Sequence, residues 1–188
     1  VVDVLDFVRP ISLEVDPVSV RVVLDDAKAA ARRHPKAGHT TIVTDCATDL
    51  PDLDADQLQL RQVFTNLLIN AMEALVGGGH IWITASYATV DASPEPSEPP
   101  EYVGYVTIEV ADDGPGVPVD VTDQLFSPFF TTKPSGSGLG LAIVRKIIDA
   151  HDGQIEVTPR AGGGATFRVR LPVSHHVEAV RVAGGDRA

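Results

Sequence analysis

Two asparagines, Asn66 and Asn70, frame the run Asn66-Leu67-Leu68-Ile69-Asn70-Ala71. Their spacing is a little over one helical turn, so on a helix both amides share one face. Asparagine is unfavourable inside a helix, because its side chain competes for nearby backbone groups. Two of them among strong helix formers, flanked by apolar residues, suggest a polar task. An amide oxygen suits Mg²⁺, which takes few protein ligands beside phosphate and water. From these residues alone, a metal-binding pair and two surface asparagines are equally compatible.

A second group is Val110-Ala111-Asp112-Asp113-Gly114-Pro115-Gly116, a β-prone run ending in carboxylates and a glycine turn. A buried carboxylate can accept a hydrogen bond from an exocyclic amine, and glycine lets backbone approach a flat ring closely. Taken alone, an acidic turn after a strand is the simpler reading. The third group is Gly136-Ser137-Gly138-Leu139-Gly140-Leu141, followed by the helical Ala142-Ile143-Val144. Glycines leading into a helix N-terminus offer unpaired N–H groups and a favourable dipole to phosphate, and a flexible lid hinge is compatible with that role. The glycine spacing is not that of a dinucleotide fingerprint, and the Gly-Lys-Ser/Thr of a P-loop is absent.

These groups need elements to hold them. The pattern predicts a helix from about Asp54 to Val76, closed by Gly77-Gly78-Gly79, to carry the asparagines. Helices are also predicted over Val1–Val8, Val18–Arg33 and Gly138–His151. Strands are predicted over Thr40–Asp45, His80–Thr89, Tyr102–Ala111, Gln154–Pro159 and Ala165–Leu171, the last two joined by Gly162-Gly163-Gly164. The acidic, proline-rich segment 91–101 reads as a long hairpin loop, residues 112–137 as mostly loop, and the tail from Pro172 as frayed. This alternation implies a mixed sheet covered by helices on one face.

With 15 Lys and Arg against 26 Asp and Glu, the net charge is -11, so no overall field attracts nucleic acid or an anionic membrane. Any anion must be held by local amides, a helix N-terminus or a metal ion. The single cysteine, Cys46, excludes an intrachain disulfide, fits a reducing compartment and reads as a small packing residue. No stretch is long and apolar enough to span a bilayer. A cytoplasmic location with no direct membrane contact is expected, whether or not the parent protein is anchored.

In this order the three groups resemble the boxes of the ATPase superfamily of histidine kinases, type II topoisomerases and heat-shock chaperone ATPases. Asn66 to Ala71 is similar to the N box, Asp112 to Gly116 to the first glycine box and Gly136 to Leu141 to the second. Leu125-Phe126-Ser127-Pro128-Phe129-Phe130-Thr131-Thr132-Lys133 resembles the F box of sensor histidine kinases, especially nitrogen-regulator-like ones. His151-Asp152-Gly153 and Gly164-Ala165-Thr166-Phe167 fit the kinase ending. The resemblance spans roughly residues 40–172. It implies a two-layer α/β sandwich of the Bergerat type that binds ATP and Mg²⁺. Residues 18–172 would form the catalytic domain with a lid over 112–137, residues 1–17 the end of a dimerisation helix and linker, and 173–188 a tail.

The resemblance also implies roles. Asn66 and Asn70 would be catalytic, with Asn70 coordinating Mg²⁺. Asp112 would bind the adenine amine, with a water shared by Thr166. Gly114 and Gly116 would shape the adenine pocket. Gly136, Gly138, Leu139 and Gly140 would bring the lid to the phosphates, with Lys133 as a phosphate contact, while Phe129 and Phe130 would anchor the lid.

Two departures stand out. Many members carry a lysine three residues after the second N-box asparagine, where this chain has Glu73, so a phosphate contact is missing or comes from the lid. Asn66 stands where topoisomerases and chaperones place a catalytic glutamate, and a neutral amide cannot be a general base for water. None of His34, His39, His80, His151, His175 and His176 lies in the family's acceptor pattern. The acceptor hairpin is expected upstream, in the same parent, with a response regulator as the onward partner. The alternatives are an anti-sigma-type serine protein kinase and a non-catalytic nucleotide-sensing module.

Overall fold

Alternating apolar residues dictate the central sheet. The computed structural model describes residues 11–91, 102–133, 136–160 and 162–173. Five strands, β2 (Thr40–Cys46), β4 (Gly79–Asp91), β5 (Tyr102–Asp112), β6 (Gln154–Pro159) and β7 (Ala165–Val173), form a sheet in the order β2-β4-β5-β7-β6. β2 runs parallel to β4, and the other pairs are antiparallel. On one face Ile81, Ile83, Val106, Ile108, Val110, Phe167 and Val169 are buried. The other face carries a cross-strand ladder in which Arg168 bonds Glu109 at 2.7 Å and Glu156 at 2.6 Å.

The buried face is roofed by three helices, α1 (Val20–Ala31), α2 (Gln57–Ala74) and α3 (Gly140–Ala150). α2 supplies Leu60, Val63, Phe64, Leu67, Leu68, Ala71 and Met72 to the core, and α3 supplies Ala142, Ile143, Val144, Ile147 and Ile148. This is a two-layer α/β sandwich with a mixed sheet, as expected. The differences are local. Asp16–Val18 (β1) pairs antiparallel with Leu53–Ala55 (β3), so α1 begins at Val20 and α2 at Gln57. Such short strands are too brief to carry a periodic signal. Residues 35–39 and 119–124 form short 3-10 segments where loop was expected. α3 starts at Gly140, because Gly138, at φ 67°, has left-handed backbone that a helix cannot contain. Pro172 and Val173 extend β7 by pairing with Tyr105 and Gly104, where a frayed tail was expected. The opening helix Val1–Val8, most of loop 91–101 and residues 174–188 lie outside the described residues.

One buried knot sets α2 against α3. Asp56 is the N-cap of α2, and its Oδ1 accepts from the N–H groups of Leu58 and Gln59, each at 3.0 Å. Its Oδ2 accepts from Glu14 N–H at 3.1 Å. Its own N–H donates to His151 Nε2 at 3.0 Å, while His151 Nδ1 lies 2.8 Å from the Ile147 carbonyl. These partners place the imidazole proton on Nδ1. Asp56→Ala removes the cap and is expected to cost about 1–2 kcal/mol. His151→Ala strands a buried N–H and is expected to cost about 1–3 kcal/mol. Urea unfolding followed by circular dichroism checks both through the transition midpoint.

Candidate functional site

The end of β5, the end of α2 and the turn before β7 lie together, with Gly114 beside Ala74 and Gly164 against Asp112. The pleat turns Asp112, the last residue of β5, toward the helices, leaving it only 3 % exposed. Its Oδ1 accepts from Gly114 N–H at 2.9 Å, and its carboxylate also accepts from the backbone N–H of Ala165. Burial pushes its pKa above the ordinary carboxylate value, and these two donors partly offset that rise. Asp113 turns outward. It accepts from His80 N–H at 2.8 Å and lies 3.0 Å from His80 Nδ1, and these hydrogen bonds hold its pKa below the usual range. Of two neighbouring carboxylates, one is therefore buried and reluctant to ionise, and the other is bonded and ionised.

Glycines shape the wall around Asp112. Gly164 has φ 96°, and a Cβ there would collide with the Asp112 carbonyl, so the turn lies directly on the end of β5. A Cβ on Gly116 would lie 2.8 Å from the Gly164 carbonyl. The first glycine box thus packs against the turn that opens β7. A cleft of about 310 Å³ opens beside them, lined by Ala74, Leu75, Val76, Gly114 and Pro115 among others.

Asn66, Asn70 and Ala74 follow one another at helical spacing, so the asparagine stripe of α2 runs toward this cleft. Both asparagines are half-buried. Lys133, from the loop before α3, reaches across so that its Nζ lies 3.1 Å from Asn70 Oδ1 and 2.5 Å from Glu73 Oε2. Glu73 also faces His34 Nε2 at 3.7 Å, and Lys36 Nζ donates to its carbonyl at 2.9 Å. The lysine missing from position 73 is thus matched by a cation from the loop.

The remaining expected site residues divide. Gly140 has open space where a Cβ would stand, so no protein contact requires glycine there. Gly138 is required: besides its positive φ, a Cβ would collide with the Phe129 backbone, and its carbonyl accepts from Phe129 N–H at 3.0 Å. Gly136 is exposed in the same loop. The Leu139 side chain is buried in the core, so only its backbone can face a ligand. Thr166 is not brought to Asp112. It sits opposite Ala111 on β7, one residue out of phase with buried Ala165 and Phe167, so its side chain lies on the other face of the sheet. Phe129 is 62 % exposed and does not anchor the loop, although Phe130 is half-buried. The anchor is Phe126, packed edge-on to Phe167 at 6.5 Å with the Arg145 guanidinium 5.5 Å from its ring. The sequence reading missed the parts played by Ala165 and His80, because neither a backbone N–H nor a cross-strand contact leaves a mark in residue type.

The fold and this site define a two-layer α/β domain with a buried carboxylate at the end of β5 and a glycine-rich loop leading into α3. Residues 55–175 match the family described as histidine kinase-, DNA gyrase B-, and HSP90-like ATPase. The chain is 41% identical over 161 residues to the sensory histidine kinase/phosphatase NtrB of Rhodobacter capsulatus, covering 86% of this chain and 44% of that protein. It is 33% identical over 172 residues to the sensor histidine kinase ZraS of Escherichia coli, covering 92% of this chain and 34% of that protein. It therefore spans less than half the length of these curated relatives. The solved catalytic domain of histidine kinase ThkA superposes with a TM-score of 0.68 at 29% identity, covering 85% of this chain and 97% of that one. Full-length ShkA, solved in complex with AMPPNP, gives 0.68 at 32% identity, covering 87% of this chain and 32% of that one. The chain belongs to the family of histidine kinase-, DNA gyrase B- and HSP90-like ATPases.

The raised pKa of Asp112 has a consequence for stability. A carboxyl raised in the folded state contributes stability below its unfolded pKa and loses it as pH rises through the folded value. Asp112→Asn keeps an oxygen for the Gly114 N–H but cannot ionise. Its melting temperature relative to the parent is expected to be higher at pH 8 than at pH 4, and thermal melts at both pH values check this.

Proposed function

We propose that this chain is the ATP-binding catalytic part of a two-component sensor histidine kinase. It transfers the γ-phosphoryl group of ATP to a histidine on a dimerisation hairpin upstream in the same parent. The observations that support this reading are the buried Asp112 carboxylate, bonded to Gly114 in the wall of the cleft, and the Lys133 ammonium drawn to Asn70 on the asparagine stripe of α2. The kinase names of the relatives support it.

In this reading Asp112 accepts the adenine amine, and Gly114 and Gly116 keep the backbone close to the ring. α3 carries no side-chain cap and no acidic residue in its first turn, so its N-terminal amides are available to phosphate, with Gly136, Gly138 and Gly140 allowing close approach. The residues fit Mg²⁺, since Asn70 Oδ1 already presents its oxygen to a cation. When bound, the metal supplies charge neutralisation at the phosphates. Asn66 offers no base to activate water. The γ-phosphoryl group is thus kept for in-line attack by an imidazole nitrogen, which forms the N–P bond as ADP leaves. A response regulator then receives the group through the parent. Among the described residues, no helix is long and apolar enough to cross a membrane.

Calorimetric titration with ATP, with and without Mg²⁺, beside Asp112→Asn is the test. The parent is expected to show saturable, Mg²⁺-dependent binding that the variant loses, and then to phosphorylate an acceptor hairpin supplied in trans. No binding, or hydrolysis without transfer to the hairpin, would sink the reading.

A further inference from the structure

The Lys133 ammonium marks a point held by two oxygens of one helix. Asn70 Oδ1 lies 3.1 Å from it and Glu73 Oε2 lies 2.5 Å from it. Asn70 and Glu73 are neighbours on the surface of α2, so the helix itself sets their separation. One oxygen is neutral and the other is a carboxylate, a donor set that selects a cation. Both side chains are half-buried, which limits solvent competition for the point.

A carboxylate is unexpected beside a polyphosphate, which it repels. It is expected beside a divalent cation, because magnesium is commonly held through one or two carboxylates together with substrate phosphates. An ammonium and a divalent cation cannot share the point, since their charges repel strongly at such distances. Lys133 can leave it without disturbing the core, as residues 131–133 lie outside helix and strand.

We propose that Asn70 and Glu73 together form the metal seat, with Glu73 a second protein ligand of the nucleotide's Mg²⁺ and Lys133 its alternative occupant. With the metal held there, the Lys133 ammonium would leave the seat and be free to contact the phosphates. The inference rests on the ATP-binding reading above and adds to it a ligand and an order of events.

The test is ATP affinity of the full chain measured by calorimetry across a Mg²⁺ series, for the parent, Glu73→Gln and Lys133→Met. Circular dichroism melts confirm that each variant is folded. Glu73→Gln is expected to reduce the gain in ATP affinity given by Mg²⁺ by about 10- to 100-fold, the scale on which metal-site residues act. Its affinity without Mg²⁺ should be tighter, because a negative charge beside the phosphates is gone and Lys133 loses its carboxylate partner. Lys133→Met is expected to reach half-maximal effect at lower Mg²⁺, because no ammonium competes for the seat. If Glu73→Gln retains the parent's Mg²⁺ dependence, Glu73 only tethers Lys133 and the inference fails while the nucleotide reading stands. If the parent binds no ATP, both fail.

Discussion

The N–H of Asp56 and the imidazole of His151 form the hydrogen bond on which the site's geometry depends. Asp56 starts the helix that bears Asn66, Asn70 and Glu73, and His151 ends the helix that the glycine-rich loop feeds. The loop can present Lys133 to Asn70 only if those two helices hold a fixed relation. The bond lies at the far end of each helix from the cleft. It therefore fixes the two supports of the loop at a distance from the cleft. The same carboxylate that caps α2 also draws in the chain at Glu14, so one residue organises three segments.

Charge sets the second constraint. A chain of net charge -11 has no general attraction for a polyanion, so attraction must be local. The structure concentrates it. The first turn of α3 carries no acidic residue, and Lys133 projects from the loop before it. His34 and Lys36 lie on the other side of Glu73 and contact its carboxylate and its carbonyl. The two carboxylates at the end of β5 differ in charge behaviour. Burial favours the neutral form of Asp112, while hydrogen bonds from His80 keep Asp113 ionised and turned outward.

The sequence by itself determined the layered α/β class, the helix bearing the asparagines, the carboxylate at the end of β5 and the glycine-rich loop. Periodicity and turn residues are local, and they read correctly because local pattern and global fold agree here. The same local information could not place Thr166 on the far face or show that Phe126 rather than Phe129 anchors the loop. Each of those depends on the phase of one strand against another, or on what packs across a gap, which neighbouring residues do not encode. Nor could it reveal what Glu73 does. An acidic residue on a helix surface is most simply solvated, and only the approach of Lys133 from a distant loop turns it into half of a cation seat. Tertiary structure decided the site's charge arrangement because electrostatic partners are chosen by distance in space, while sequence records only distance along the chain.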